Sequence, residues 1–132
     1  MGKHDRSYIT LQNNTVAKNA YAEVAKIATG RLGAEAVYNL ANFSNQSGDY
    51  EISNAYVQRL AKDFSAYKEF GAKGLLLMAK NFYGLGDAYQ ATYLLDSIIK
   101  KFTEYPEVIS EAKTELQKIK AEEAKTNSSI KE

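Results

Sequence analysis

His4 is the only histidine in this 132-residue chain. It stands in a polar N-terminal stretch, and the sequence contains no cysteine. A metal centre needs three or four ligands of this kind converging on one point, so no metal site is expected. The same isolation leaves His4 without a nucleophile to activate. The acidic residues Glu51, Asp63, Glu69, Asp96 and Glu104 sit in polar positions without a paired arrangement, which reads as solvated surface and not as acid–base chemistry. Gly71, Gly74, Gly84 and Gly86 are not followed by the Gly-Lys-Ser/Thr of a phosphate-binding loop. Close helix packing is the better reading of Gly71 and Gly74. No catalytic residue, cofactor or metal is therefore assigned, and the chain is not read as an enzyme.

Ten tyrosines interleaved with lysines are a second candidate chemistry, stacking on the bases of a single strand. Charge argues against it. Seventeen basic and sixteen acidic residues give a formal charge of +1, too small a field for a protein whose work is to neutralise a phosphate backbone. The tyrosines are also scattered: Tyr50 falls in a turn, Tyr38 and Tyr83 in one set of helical segments, Tyr56 and Tyr93 in the other. That distribution suits core or groove lining. A single-stranded nucleic-acid binder, or an accessory subunit of an enzyme, stays as the alternative to a protein-binding role.

With 45% hydrophobic and 25% charged residues, the chain has the composition of one folded domain and is too apolar for intrinsic disorder. The longest apolar run, residues 74–79, is far below the roughly 20 residues that a membrane-spanning helix needs, so no membrane insertion is expected. Residues 1–10 carry Lys3, His4, Asp5 and Arg6 with no apolar block behind them, which is not the pattern of a secretory signal.

The organising feature is an internal repeat. Aligning Gly48-Asp49 with Gly86-Asp87 puts residues 34–65 over residues 72–103, an offset of 38, and keeps large apolar residues in step. Val37 meets Leu75, Leu40 meets Met78, Val57 meets Leu95, Leu60 meets Ile98 and Phe64 meets Phe102. Inside each unit the apolar residues recur at three and four positions, the signature of a helix buried along one face. Between the two helices of a unit, glycine permits the left-handed conformation that ends the first, and aspartate can cap the second. Gln90 three residues after Asp87 completes a capping box. Leu40, Leu60, Leu75, Met78, Phe82, Leu95 and Ile98 are the expected core.

Residues 16–28 repeat the pattern of a second helix, with Ala17, Ala20, Val24 and Ile27 on one side and no full first helix before it. The far side of that half repeat is expected to attract Tyr8, Ile9 and Leu11, folding back over it, or a second copy in weak self-association. Pro106 opens a last helix with a narrow stripe of Ile109, Ala112, Leu116 and Ile119, suited to capping an end. The division is thus an N-terminal segment 1–14, a repeat domain 15–121 and a tail 122–132. The domain comprises a half repeat 15–29, repeats 34–65 and 72–103 and a capping helix 106–121. The tail is expected to fray, because apolar periodicity stops near Glu122.

These residues resemble the tetratricopeptide repeat, whose pattern W-x2-L-G-x2-Y, A-x3-F and closing proline spans about 34 residues. Its places are filled here by Val37, Leu40, Ala41, Ser44, Ser53, Val57 and Ser65, then by Leu75, Met78, Ala79, Phe82, Ala91, Leu95 and Thr103. The order of Thr29 to Tyr38, the Ser47-Gly48-Asp49-Tyr50 turn, Leu85-Gly86-Asp87, Gln90-Ala91 and Glu111-Ala112-Lys113 is similar to the C-terminal end of Bacteroidetes-type cell-envelope proteins of that family. The resemblance implies an all-α fold of antiparallel helix-turn-helix repeats, stacked as a short right-handed solenoid of about six helices. It implies a periplasmic or outer-membrane-associated compartment. It implies a concave face built from the first helices, on which a scaffold protein binds a partner peptide or helix. On that face it places Tyr38, Asn42, Asn45 and Gln46 from one unit and Lys73, Leu76, Lys80 and Tyr83 from the next, with Glu35 beside them. Some members grip a C-terminal carboxylate; Asn42 and Lys73 match two members of that clamp, but Tyr38 and Leu77 stand in place of its other basic residues, so that activity is not expected. The longer offset implies an extended linker from residue 63 to residue 70.

Overall fold

A computed structural model describes the backbone of residues 6–27 and 29–131 and the side chains of residues 15–26 and 29–127. His4 lies outside them. Among the described residues the chain is all-helical, with six helices. They are α1 (Arg6–Ile27), α2 (Gly30–Gln46), α3 (Tyr50–Asp63), α4 (Lys68–Gly84), α5 (Ala88–Lys101) and α6 (Pro106–Lys131). Their starts keep the period read from the sequence. α2, α4 and α6 begin 38 residues apart, as do α3 and α5, and the paired helices have equal lengths of 17 and 14 residues.

Both inner turns are built alike. Gly48 and Gly86 take φ of +80° and +87°, the left-handed conformation that costs glycine nothing. The amides on either side then close back on the helix end: Gly48 N–H donates to Asn45 and Asp49 N–H to Ser44, and Gly86 to Tyr83 and Asp87 to Phe82. This arrangement satisfies carbonyls that would otherwise end the helix unpaired. The caps that follow differ. Asp87 accepts from the Gln90 amide at 3.0 Å, whereas Asp49 makes no side-chain cap, contrary to the expectation for that turn. Since the Asp87 amide is engaged by Phe82, the reciprocal half of the capping box has no free donor to meet.

The outer turns also repeat: Tyr67 N–H donates to Phe64, and Tyr105 N–H to Phe102, both at 3.0 Å. These turns are short, so the extended linker expected from residue 63 to residue 70 is absent. Its length is taken up instead by the first turn of α4, and likewise α2 starts four residues before the expected boundary at residue 34.

Each helix packs on its neighbours in sequence, and in addition α2 packs on α4 and α4 on α6. α2, α4 and α6 therefore make one row, against which α3 and α5 lie. α4 sits in the middle and is buried on two opposite sides. Phe70, Gly74, Leu77 and Asn81, spaced as successive turns of one face, meet α2 and α3. Ala72, Leu76 and Ala79 form the opposite face and join Leu95, Ile98, Val108, Ala112, Leu116 and Ile119 from α5 and α6. Each buried leucine or isoleucine here contributes about 1.5–3 kcal/mol. Of the expected core, Leu40, Leu60, Leu95 and Ile98 are buried, but Leu75, Met78 and Phe82 are only half-buried, on the rim between the two faces. Leu76 and Leu77 take their places. Gly74 is a close approach, since a Cβ there would stand 3.2 Å from Leu60. Gly71 is not, as nothing lies within 4 Å of one, and the close-packing reading fails for it.

The two chain ends depart from expectation. α1 begins at Arg6, so residues 6–14 extend the helix in place of folding back on it; the side chains of Tyr8, Ile9 and Leu11 lie outside the described residues. α6 runs to Lys131, through the stretch expected to fray. Loss of the apolar stripe removes packing partners but not helical propensity, and Ala121, Glu122, Glu123, Ala124 and Lys125 are all strong helix formers.

Candidate functional site

Charged and aromatic side chains of α2, α4 and α6 meet along two seams between these helices. At the first, Phe70 of α4 is the base. Tyr38 of α2 lies against it with ring centroids 6.1 Å apart, tilted 46°. Arg31 and Lys73 stand over the same ring, at 5.0 Å and 5.6 Å from its centroid, the geometry in which a cation is drawn to an aromatic face. Both reach Glu69 as well, Lys73 at 3.1 Å and Arg31 at 3.2 Å. Hydrogen bonds from Lys73 and then Arg31 hold the Glu69 carboxyl below its usual range.

At the second seam a cleft of about 290 Å³ opens between α4 and α6, reaching Tyr38 on α2 and lined by Lys73, Leu76, Glu107, Val108 and Glu111. Burial pushes the Tyr38 phenol up, Lys73 partly opposes this, and Glu111 adds to it. Further along, Lys80 is 3.8 Å from Glu111, and the Tyr83 hydroxyl donates to Glu122 at 2.6 Å. Ligand pockets for whole small molecules run from about 300 to 1,000 Å³. This cleft lies at the lower edge of that range and is open to solvent, with room for a partner's side chain.

Of the residues that the sequence placed on this face, Tyr38, Lys73 and Leu76 come together in the cleft. Lys80 and Tyr83 continue the same side of α4 through their contacts with α6. Leu76 is 5% exposed and serves as cleft floor and core, a correction to its reading as an open surface residue. Its burial comes from α6, whose Val108 and Ala112 share its cluster. Asn45 is likewise not free. Its amide donates to Asn81 Oδ1 at 2.8 Å, and Asn81 donates in turn to Ser53 and Asn54, both at 2.8 Å. Ser53 passes the chain on to the Ala41 carbonyl at 2.7 Å. Asn81 is fully buried, and this network satisfies it while fastening α2, α3 and α4 together. Asn42 and Gln46 do not line the cleft; Gln46 is exposed as the last residue of α2.

Sequence reasoning missed Arg31, Asn81 and the carboxylates of α6. A signal existed for the last: Pro106 lies 38 residues after Lys68, so α6 repeats α4 and its Glu107 and Glu111 stand where α4 has Glu69 and Lys73. For Asn81 the only sign was an amide in phase with Phe70, Gly74 and Leu77.

A second depression, about 230 Å³, lies on the α3 and α5 side and is lined by apolar residues that include Leu60, Phe64, Leu75 and Phe102. Among the described residues no helix is long and apolar enough to cross a membrane, and no three His, Cys, Asp or Glu side chains are grouped so as to hold a metal. Comparison with known proteins finds no matching family model, curated protein or solved structure.

Proposed function

We propose that this chain is a scaffold of tetratricopeptide-type repeats that binds a partner peptide or helix along the α2, α4 and α6 row. In this reading the repeats form a short right-handed solenoid, the row is its concave face, and the chain is part of a larger cell-envelope protein. The cleft at Tyr38, Lys73, Leu76, Glu107, Val108 and Glu111 is the observation that carries it. It combines an apolar floor with a ring of polar and charged groups, the pattern by which one anchoring side chain is held at a protein interface. The regular spacing of the three row helices supports a surface that a linear segment follows from seam to seam. A binding role in place of catalysis accords with the charged groups of α4, Glu69, Lys73 and Lys80, which are held in ion pairs on helix surfaces.

Selection of a random peptide library on the full chain tests this. Peptides recovered are expected to lose at least ten-fold in affinity for a Tyr38→Ala, Lys73→Glu double variant and to bind a Tyr93→Ala variant, altered at an exposed position of α5, unchanged. Loss at Tyr93 with none at the cleft places binding elsewhere.

A further inference from the structure

The two seams of the row occupy equivalent positions in the repeat, and they differ in charge. At the first, Arg31 of α2 and Lys73 of α4 surround Glu69. Moving each residue on by one period gives the second: Glu69 in the place of Arg31, Glu107 in the place of Glu69, Val108 in that of Phe70 and Glu111 in that of Lys73. Two cations and a carboxylate become three carboxylates. Glu69 is already engaged by Arg31 and Lys73, so it adds no demand at the second seam. Glu107, by contrast, has no ion-pair partner among the described residues, and Glu111 has only the 3.8 Å contact from Lys80, on a side chain 65% exposed. A surface pair that long and that exposed is weak. Lys73 lines the cleft but is not available to these two carboxylates, because its ammonium is 3.1 Å from Glu69 and lies over Phe70. Glu107 and Glu111 are also four apart on one helix, where like charges repel.

We infer that the cleft between α4 and α6 takes an arginine or lysine side chain of the partner segment, its charged head between Glu107 and Glu111 and its aliphatic stem on Leu76 and Val108. The bound cation does at the second seam what Arg31 and Lys73 do at the first. The stem accounts for the apolar floor, since long basic side chains bury their methylenes while the head stays at a polar rim. Arginine is the better fit, because its planar fork addresses two carboxylates at once. This inference rests on the concave-face reading and narrows it to a basic partner segment.

The probe is a set of four capped pentapeptides, Gly-Ser-X-Ser-Gly with X as Arg, Lys, Gln or Glu, titrated into the isotope-labelled full chain and followed by amide chemical shifts. The Arg and Lys peptides are expected to shift Leu76, Glu107, Val108 and Glu111, and the Gln and Glu peptides to leave them in place. A Glu107→Gln, Glu111→Gln double variant, changed only at exposed positions, is expected to weaken the Arg peptide at least five-fold. Equal shifts from the Gln peptide, an Arg response indifferent to the double variant, or no response to Arg overturns the inference. Shifts of Tyr38 and Leu76 with the Gln or Glu peptide leave the concave-face reading standing while removing the basic preference. The library selection described above decides that reading on its own.

Discussion

The ring of Tyr50, at the start of α3, lies over Gly84 at the end of α4, so close that a Cβ on residue 84 would stand 2.5 Å from it. Within a helix alanine is better than glycine by about 1 kcal/mol. Here the contact reverses the preference. Gly84→Ala is expected to destabilise the chain by about 1 kcal/mol or more, by swinging a half-buried aromatic ring off its seat. In a Tyr50→Ala background the same substitution is expected to be neutral or stabilising. Denaturant unfolding of the four proteins of this cycle checks it; an unchanged sign in the two backgrounds would show that the ring does not constrain residue 84.

Asn81 tests the polar centre of the fold. Asn81→Ala removes the residue that links Asn45, Ser53 and Asn54, leaving buried donors and acceptors without partners at about 1–3 kcal/mol each in the worst case. A loss of about 2–4 kcal/mol in unfolding free energy is expected. A loss under about 0.5 kcal/mol would mean the network is not formed in solution.

How much of this was legible in the sequence depends on which residues are asked about. The repeat was, because glycine and aspartate mark the same turn twice and the helix boundaries then follow at the same period. Leu40, Leu60, Leu95 and Ile98 were also placed correctly, on helices that bury a single side. α4 was misread in phase. It is sandwiched between α2 and α3 on one side and α5 and α6 on the other, which leaves only the narrow strip of Glu69, Lys73 and Lys80 from which to fix its rotation. Leu75, Leu76, Leu77 and Met78 are then interchangeable to a pattern search, and only the packing shows that Leu76 and Leu77 are the buried pair. The cleft was half legible for a related reason. Tyr38 and Lys73 were placed on the row, but their partners on α6 were hidden by reading that helix as an end cap and not as a third copy of the first helices.

Tyr83 reports on the C-terminal half of α6, the part least expected from the sequence. Its hydrogen bond to Glu122, with further contributions from burial and from the charges of Glu122 and Glu123, pushes the phenol from 10.0 up to about 12. The donor form is the neutral phenol, so the contact favours the protonated state. It is present below pH 10 and is lost as pH rises through the folded value. Glu122→Gln is expected to bring Tyr83 back toward the ordinary tyrosine range, seen by carbon-13 shifts of the ring in an alkaline titration. An ordinary value for Tyr83 in the unaltered chain would mean that α6 does not reach back to α4 at this point.

The central claim is that a linear partner lies along the α2, α4 and α6 row. Photocrosslinking measures this most directly: a library-selected peptide carrying a benzophenone residue, irradiated on the full chain and mapped by mass spectrometry. The account predicts adducts on the row, concentrated around Tyr38, Lys73, Leu76 and residues 107–111. Adducts on the opposite side, around Phe64, Leu75 and Phe102 where the apolar depression lies between α3 and α5, would contradict it.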